Sequence, residues 1–89
     1  MDVGTYLRRR ITPTEMDSAF LKSLKYRGKN VKNSPRSIFF EQVLDGIMDN
    51  LHHSLSQGGT KDFPFHAIRY FFSDKYGEYI HEYWENANQ

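Results

Sequence analysis

The chain has 89 residues, 38% of them hydrophobic and 26% charged, a balance that fits one ordinary globular domain and leaves no room for a second. Cysteine is absent, which excludes a disulfide framework and any thiolate metal site. The net charge of +1 hides a division: up to Arg36 nine Lys/Arg stand against three acids, and from Ser37 onward three stand against eight, so the first part suits an anionic partner.

In chain order, residues 1–11 show no apolar period. Gly4 and the run Arg8-Arg9-Arg10 read as a flexible basic N-terminal arm or a short frayed helix ahead of a single helical domain, residues 12–89. Thr12-Pro13-Thr14-Glu15 then places a hydroxyl at the N-cap, Pro at the first helical position and Glu at the third, a capping box flanked by Ile11 and Met16 as a hydrophobic staple. The spacing predicts a helix from Pro13 to about Tyr26 that buries Met16, Phe20, Leu21 and Leu24, with Gly28 as its stop.

Arg27 to Ser34 is polar, basic and rich in turn formers, hence a loop. Ser34-Pro35 repeats the start signal, and the next helix is predicted from Pro35 to about Gln57, closed by Gly58-Gly59. Phe40, Val43, Leu44, Ile47, Met48, Leu51 and Leu55 share one side of it, Asp45 and Asp49 the other. Asp62 can cap a further helix with Pro64 in its first turn, running to about Asn86 with Phe65, Ile68, Phe72, Tyr76, Tyr79, Ile80 and Tyr83 on one face. Ser73-Asp74 and Gly77 allow that segment to divide. The expected fold is all-α, with three or four helices.

Catalysis finds no support. No Ser sits in a nucleophile-elbow setting, and Gly58-Gly59 lacks the Lys-Ser/Thr of a phosphate-binding loop. Asp49 with His52 and Glu78 with His81 have the i, i+3 spacing of metal ligands in helical bundles, but both pairs project away from the apolar stripes, and solvent-facing polar residues explain them better. The string from His52 to Gly58 is similar to histidine phosphotransfer domains in its His-x-Leu pattern but lacks the Lys-Gly that usually follows; imidazoles in a last helical turn complement the negative helix end. No cofactor or metal is expected. With no apolar run of the ~20 residues that span a bilayer, and no basic-then-apolar start like that of a signal peptide, a cytoplasmic protein is expected.

Binding remains. Arg8, Arg9, Arg10, Lys22, Lys25, Arg27, Lys29, Lys32 and Arg36 can form one positive surface for nucleic acid or another anionic partner. The loop between Tyr26 and Pro35 is too long for a helix-turn-helix, and the acidic last helix would repel phosphate. Tyr70 and Trp84, off the main stripe, have the composition of a protein-binding hot spot. Opposite charges on the two halves also permit pairing between copies, as in a homodimer. The function expected is a non-enzymatic binding module, a small regulator or inhibitor docking on a protein or nucleoprotein complex, with direct nucleic-acid binding as the alternative. Small accessory or regulatory proteins of mobile elements share this general character, although no family motif is present.

Overall fold

The computed structural model describes residues 2–56 and 64–88, and every regular element among them is helical. Of the two expectations for the first segment, a flexible arm or a short frayed helix, the second is closer: it forms α1 (Val3–Arg8), which the Asp2 carboxylate caps by accepting from the Thr5 amide at 2.7 Å. Tyr6, Leu7 and Ile11 are fully buried. The Arg10 guanidinium lies 3.8 Å over the Tyr6 ring and donates to the Tyr6 carbonyl at 3.2 Å. A helix shorter than two turns shows no apolar period, which is why composition alone suggested an arm.

α2 (Pro13–Ser23) opens as predicted. The Thr12 hydroxyl accepts from the Glu15 amide at 3.1 Å and the Glu15 carboxylate accepts from the Thr12 amide at 3.4 Å. Gly28 does not stop the helix. The chain widens into a π-helical turn, Leu24–Gly28, and winds on to Asn30. A Cβ at Gly28 would lie 3.3 Å from the Phe39 ring, so this glycine admits a neighbour's ring rather than ending an element.

Pro35 occupies the cap of α3 (Arg36–Asn50), where its fixed φ and extended ψ of 150° lead into the first turn. The single helix expected to about Gln57 is interrupted: Leu51, at φ −107° and ψ 7°, leaves helical geometry, and the chain re-enters it as α4 (His52–Ser56). This turn carries Leu55 back into the core. The Gly58-Gly59 stop and the Asp62 cap lie outside the described residues. α5 (Phe65–Ala87) follows Pro64 as one helix of 23 residues, undivided at Ser73. The described residues thus form five helices rather than three or four, because the arm folds and the second predicted helix breaks.

α3 lies between α2 and α5 and runs antiparallel to both. Toward α2, Ala19 meets Asn50, the Ser23 hydroxyl donates to the Val43 carbonyl, and Gly28 meets Phe39. Toward α5, Arg69 pairs with Asp45 and Glu41, Gly77 faces Phe40, and Arg36 meets Glu85 at 3.7 Å. The backbones of α2 and α3 approach closely, as do those of α3 and α5, whereas α2 and α5 meet mainly through large side chains. The result is a rod of 41 × 17 × 17 Å.

Most of the core on the three long elements follows one rule, with Ala19, Ser23 and Leu44 buried beside it. Met16, Phe20, Leu24 and Gly28, then Phe39, Val43, Ile47, Leu51 and Leu55, then Ile68, Phe72, Tyr76 and Ile80 are buried, each set spaced by four. Half-buried Trp84 extends the last row. At 3.6 residues per turn, a row spaced by four drifts about 40° around the helix at each step. Because these rows stay buried as they wind, the core face winds with them, and a position on a straight stripe leaves that face one or two turns later.

Candidate functional site

That drift exposes residues the periodicity had assigned to the core. Leu21 is 61% exposed and Tyr79 63%, while Tyr83 and Phe65 are also open to solvent. Phe39 takes the buried place that Phe40 was expected to fill, and Phe40 and Met48 are half-buried at the core edge. Leu21 and Tyr79 flank the gap between α2 and α5. There the Phe20 and Tyr76 rings stack at 4.4 Å, and Tyr79 tilts against Phe20 at 6.4 Å.

Two shallow clefts adjoin at Leu21 and Asp17. One, of about 470 Å³, is lined by Phe20, Lys75, Tyr76 and Tyr79; the other, of about 460 Å³, runs along α2 past Lys22, Lys25 and Tyr26. Tyr26 is 62% exposed. The Tyr76 hydroxyl donates to the Asp17 carboxylate at 2.8 Å across the gap. Burial pushes the Tyr76 phenol well above its ordinary value, and the hydrogen bond to the Asp17 carboxylate acts in the same direction. This bridge between a neutral phenol and a carboxylate ties α2 to α5 at the cleft floor. Lys22 and Lys25 stand on the α2 side and Lys75 on the α5 side, so cations flank the apolar strip on both rims.

Of the nine basic residues, Arg8, Arg10, Arg27 and Arg36 make contacts within the protein. Arg27 pairs with Asp49 and Arg36 with Glu85, so both serve contacts within the protein. Arg10 is committed to Tyr6, and Arg8 donates to the Thr5 hydroxyl at 3.1 Å. Arg9 is exposed just past α1. Lys22, Lys25, Lys29 and Lys32 are exposed and have no carboxylate within ion-pair distance among the described residues. Lys22 and Lys25 lie on the cleft face, and Lys29 and Lys32 follow at the end of the rod.

Tyr70 and Trp84 part company. Tyr70 is 76% exposed. Trp84 packs on the core edge, and its indole N–H donates to the Ser34 carbonyl at 3.0 Å, tying α5 to the segment before α3. The histidine pairs are also separated by function: Asp49 takes Arg27, and His52 stacks on Phe65 at 6.2 Å. His81 is half-buried against the Phe40 ring at 4.8 Å, not solvent-facing as expected. Among the described residues no three His, Asp or Glu side chains gather as a metal site, and no helix is long and apolar enough to cross a membrane. Compared with family models, curated proteins and solved structures, the chain matches none.

Proposed function

We propose that the protein is a non-enzymatic helical binding module, a small regulator or inhibitor that docks on a protein or nucleoprotein complex through its α2–α5 face. The observation that carries this reading is the group Leu21, Tyr26 and Tyr79, three large side chains more than half exposed around one pair of clefts. Covering such a side chain is worth about 1.5–3 kcal/mol when it is fully buried. Tyrosines beside apolar residues are the usual anchors of protein interfaces.

Direct nucleic-acid binding is the second reading, favoured by four exposed lysines, Lys22, Lys25, Lys29 and Lys32, with no carboxylate within ion-pair distance among the described residues. It requires phosphate contacts whose affinity falls steeply with salt. The discriminating experiment combines fluorescence anisotropy of generic duplex DNA, single-stranded DNA and RNA over a salt series with a photo-crosslinking residue at Tyr79 in cell extract. Docking on a protein predicts protease-sensitive adducts at Tyr79 and at most weak oligonucleotide binding. Tight, salt-steep oligonucleotide binding with nuclease-sensitive adducts overturns it.

A further inference from the structure

We infer that the α2–α5 face receives an acidic amphipathic helix from the partner protein, its apolar anchors seated around Leu21 and Tyr79 and its carboxylates set against Lys22, Lys25 and Lys75. This deepens the docking reading and rests on it. Three features of the face select that occupant.

The first is charge. The apolar strip of Leu21, Phe20, Tyr76 and Tyr79 is flanked by Lys22 and Lys25 on one rim and Lys75 on the other. None of the three has a carboxylate within ion-pair distance among the described residues. A partner segment with acids on both sides of an apolar stripe complements that layout. The second is backbone chemistry. A peptide that binds by strand addition needs a sheet edge to satisfy its N–H and C=O groups, and the described residues hold no strand. A helix satisfies its own backbone and can lie in an apolar groove. The third is length: Thr14 to Tyr26, the stretch of α2 that lines the clefts, covers about 18 Å at ~1.5 Å per residue, which is roughly three turns of a partner helix.

Nucleic acid fits less well, because the clefts adjoin at Leu21 and Asp17, where a helix seats apolar anchors and keeps its carboxylates at the rims but a phosphate backbone would bring charge. A second copy of this chain also fits less well. Its acidic face on α5, with Asp74, Glu78 and Glu85, offers Tyr70 as an exposed aromatic but no apolar row spaced like a docking stripe.

The test uses a labelled peptide of about 16 residues with Leu or Phe at i, i+3, i+4 and i+7 and Glu at the flanking positions. A second peptide replaces Glu by Lys, and a third replaces the anchors by Ser. Binding to the full chain is followed by anisotropy and by amide shifts in NMR. The acidic amphipathic peptide is expected to bind and to shift Leu21, Lys22, Lys25 and Tyr79. The triple variant Lys22→Gln/Lys25→Gln/Lys75→Gln and, separately, Leu21→Ser should each weaken it by about tenfold or more. Lys29→Gln/Lys32→Gln should leave it within about twofold. Circular dichroism of each variant confirms that the helices persist. Equal binding of the Lys peptide, shifts centred on Tyr70, absence of binding, displacement by a single-stranded oligonucleotide, or self-association that occupies the same residues overturns the inference. Protease-sensitive adducts at Tyr79 alongside a failed peptide would reject the occupant while leaving the docking face standing; failure of both removes the face itself.

Discussion

At Gly46 a single hydrogen atom decides how closely two helices pack. A Cβ built there would meet the Ser23 hydroxyl and lie 2.9 Å from the Ser23 Cβ and 3.1 Å from the Arg27 Cδ. Ser23 cannot swing away cheaply, because it is buried and its hydroxyl donates to the Val43 carbonyl. Gly46→Ala should therefore destabilise the protein by about 1–3 kcal/mol, the usual range for overpacking, despite alanine's better helix propensity. Gly77 is the matched control: its Cβ would sit 3.6 Å from the Phe40 ring, an ordinary contact. Gly77→Ala should stabilise by up to about 1 kcal/mol. Urea denaturation of both variants checks the pair, and equal effects would show that Gly46 is not a packing residue. Tyr76 makes a second prediction at this scale. Its folded-state value is raised above the ordinary 10.0, first by burial and then by Asp17. The stability tied to its neutral form is complete below that ordinary value and is lost as pH rises above it. Tyr76 should be among the last phenols to ionise in an ultraviolet titration. Tyr76→Phe keeps the ring, should cost about 0.5–1.5 kcal/mol for the lost hydrogen bond, and should flatten the alkaline decline.

Among the elements, α1 depends most visibly on one side chain. Asp2 is held below its ordinary 3.8 by the Thr5 backbone N–H first and the Thr5 hydroxyl next, with a smaller contribution from Arg8. The ionised carboxylate is the better cap, so its contribution is present above that ordinary value and is lost as pH falls through the lower folded-state value. The Thr5 amide should lose its exchange protection in acid before the amides of α3 do. An Asp2→Asn variant should remove that pH dependence while keeping a weaker cap. The elements also show which signals sequence carries. The Thr12 capping box and the Pro35 and Pro64 starts were legible because caps are local chemistry, fixed by residues three or four apart. The break at Leu51 was not, since an apolar residue in an apolar row carries no stop signal and tertiary packing bends the chain there. Leu21 and Tyr79 were assigned inward for a related reason. A stripe assembled from mixed spacings of three and four looks continuous in sequence, but the core uses rows of four that wind off that stripe. The same winding that hid the α2–α5 face from the periodicity created it.

At the scale of the whole molecule, opposite charges along the chain serve folding as well as any partner, since Arg27–Asp49 and Arg36–Glu85 join the basic part to the acidic part. Their exposure limits each to about 0–1 kcal/mol, so the apolar core sets stability. The N-terminal segment is part of that core. Tyr6, Leu7 and Ile11 are fully buried, and a Cβ on Gly4 would lie 3.5 Å from Phe71 of α5. At about 1.5–3 kcal/mol per buried large side chain, the three contribute roughly 5–9 kcal/mol before ordering costs. A chain of this length has only about 4–13 kcal/mol of net stability. Deleting residues 1–11 should therefore abolish the cooperative thermal transition rather than trim a tail. Charge removal in the same segment should rank by contact: Arg8→Ala/Arg9→Ala should scarcely move the melting temperature, because both are exposed and Arg8 makes one hydrogen bond to Thr5 and a small charge contribution to Asp2. Arg10→Ala should lower it, losing the ring contact and the carbonyl bond to Tyr6. Tyr6→Ala should cost about 3–5 kcal/mol by the cavity it leaves. Calorimetry of the four proteins gives the order directly, and a truncated chain that still melted cooperatively near the full-length temperature would show that the core closes without α1.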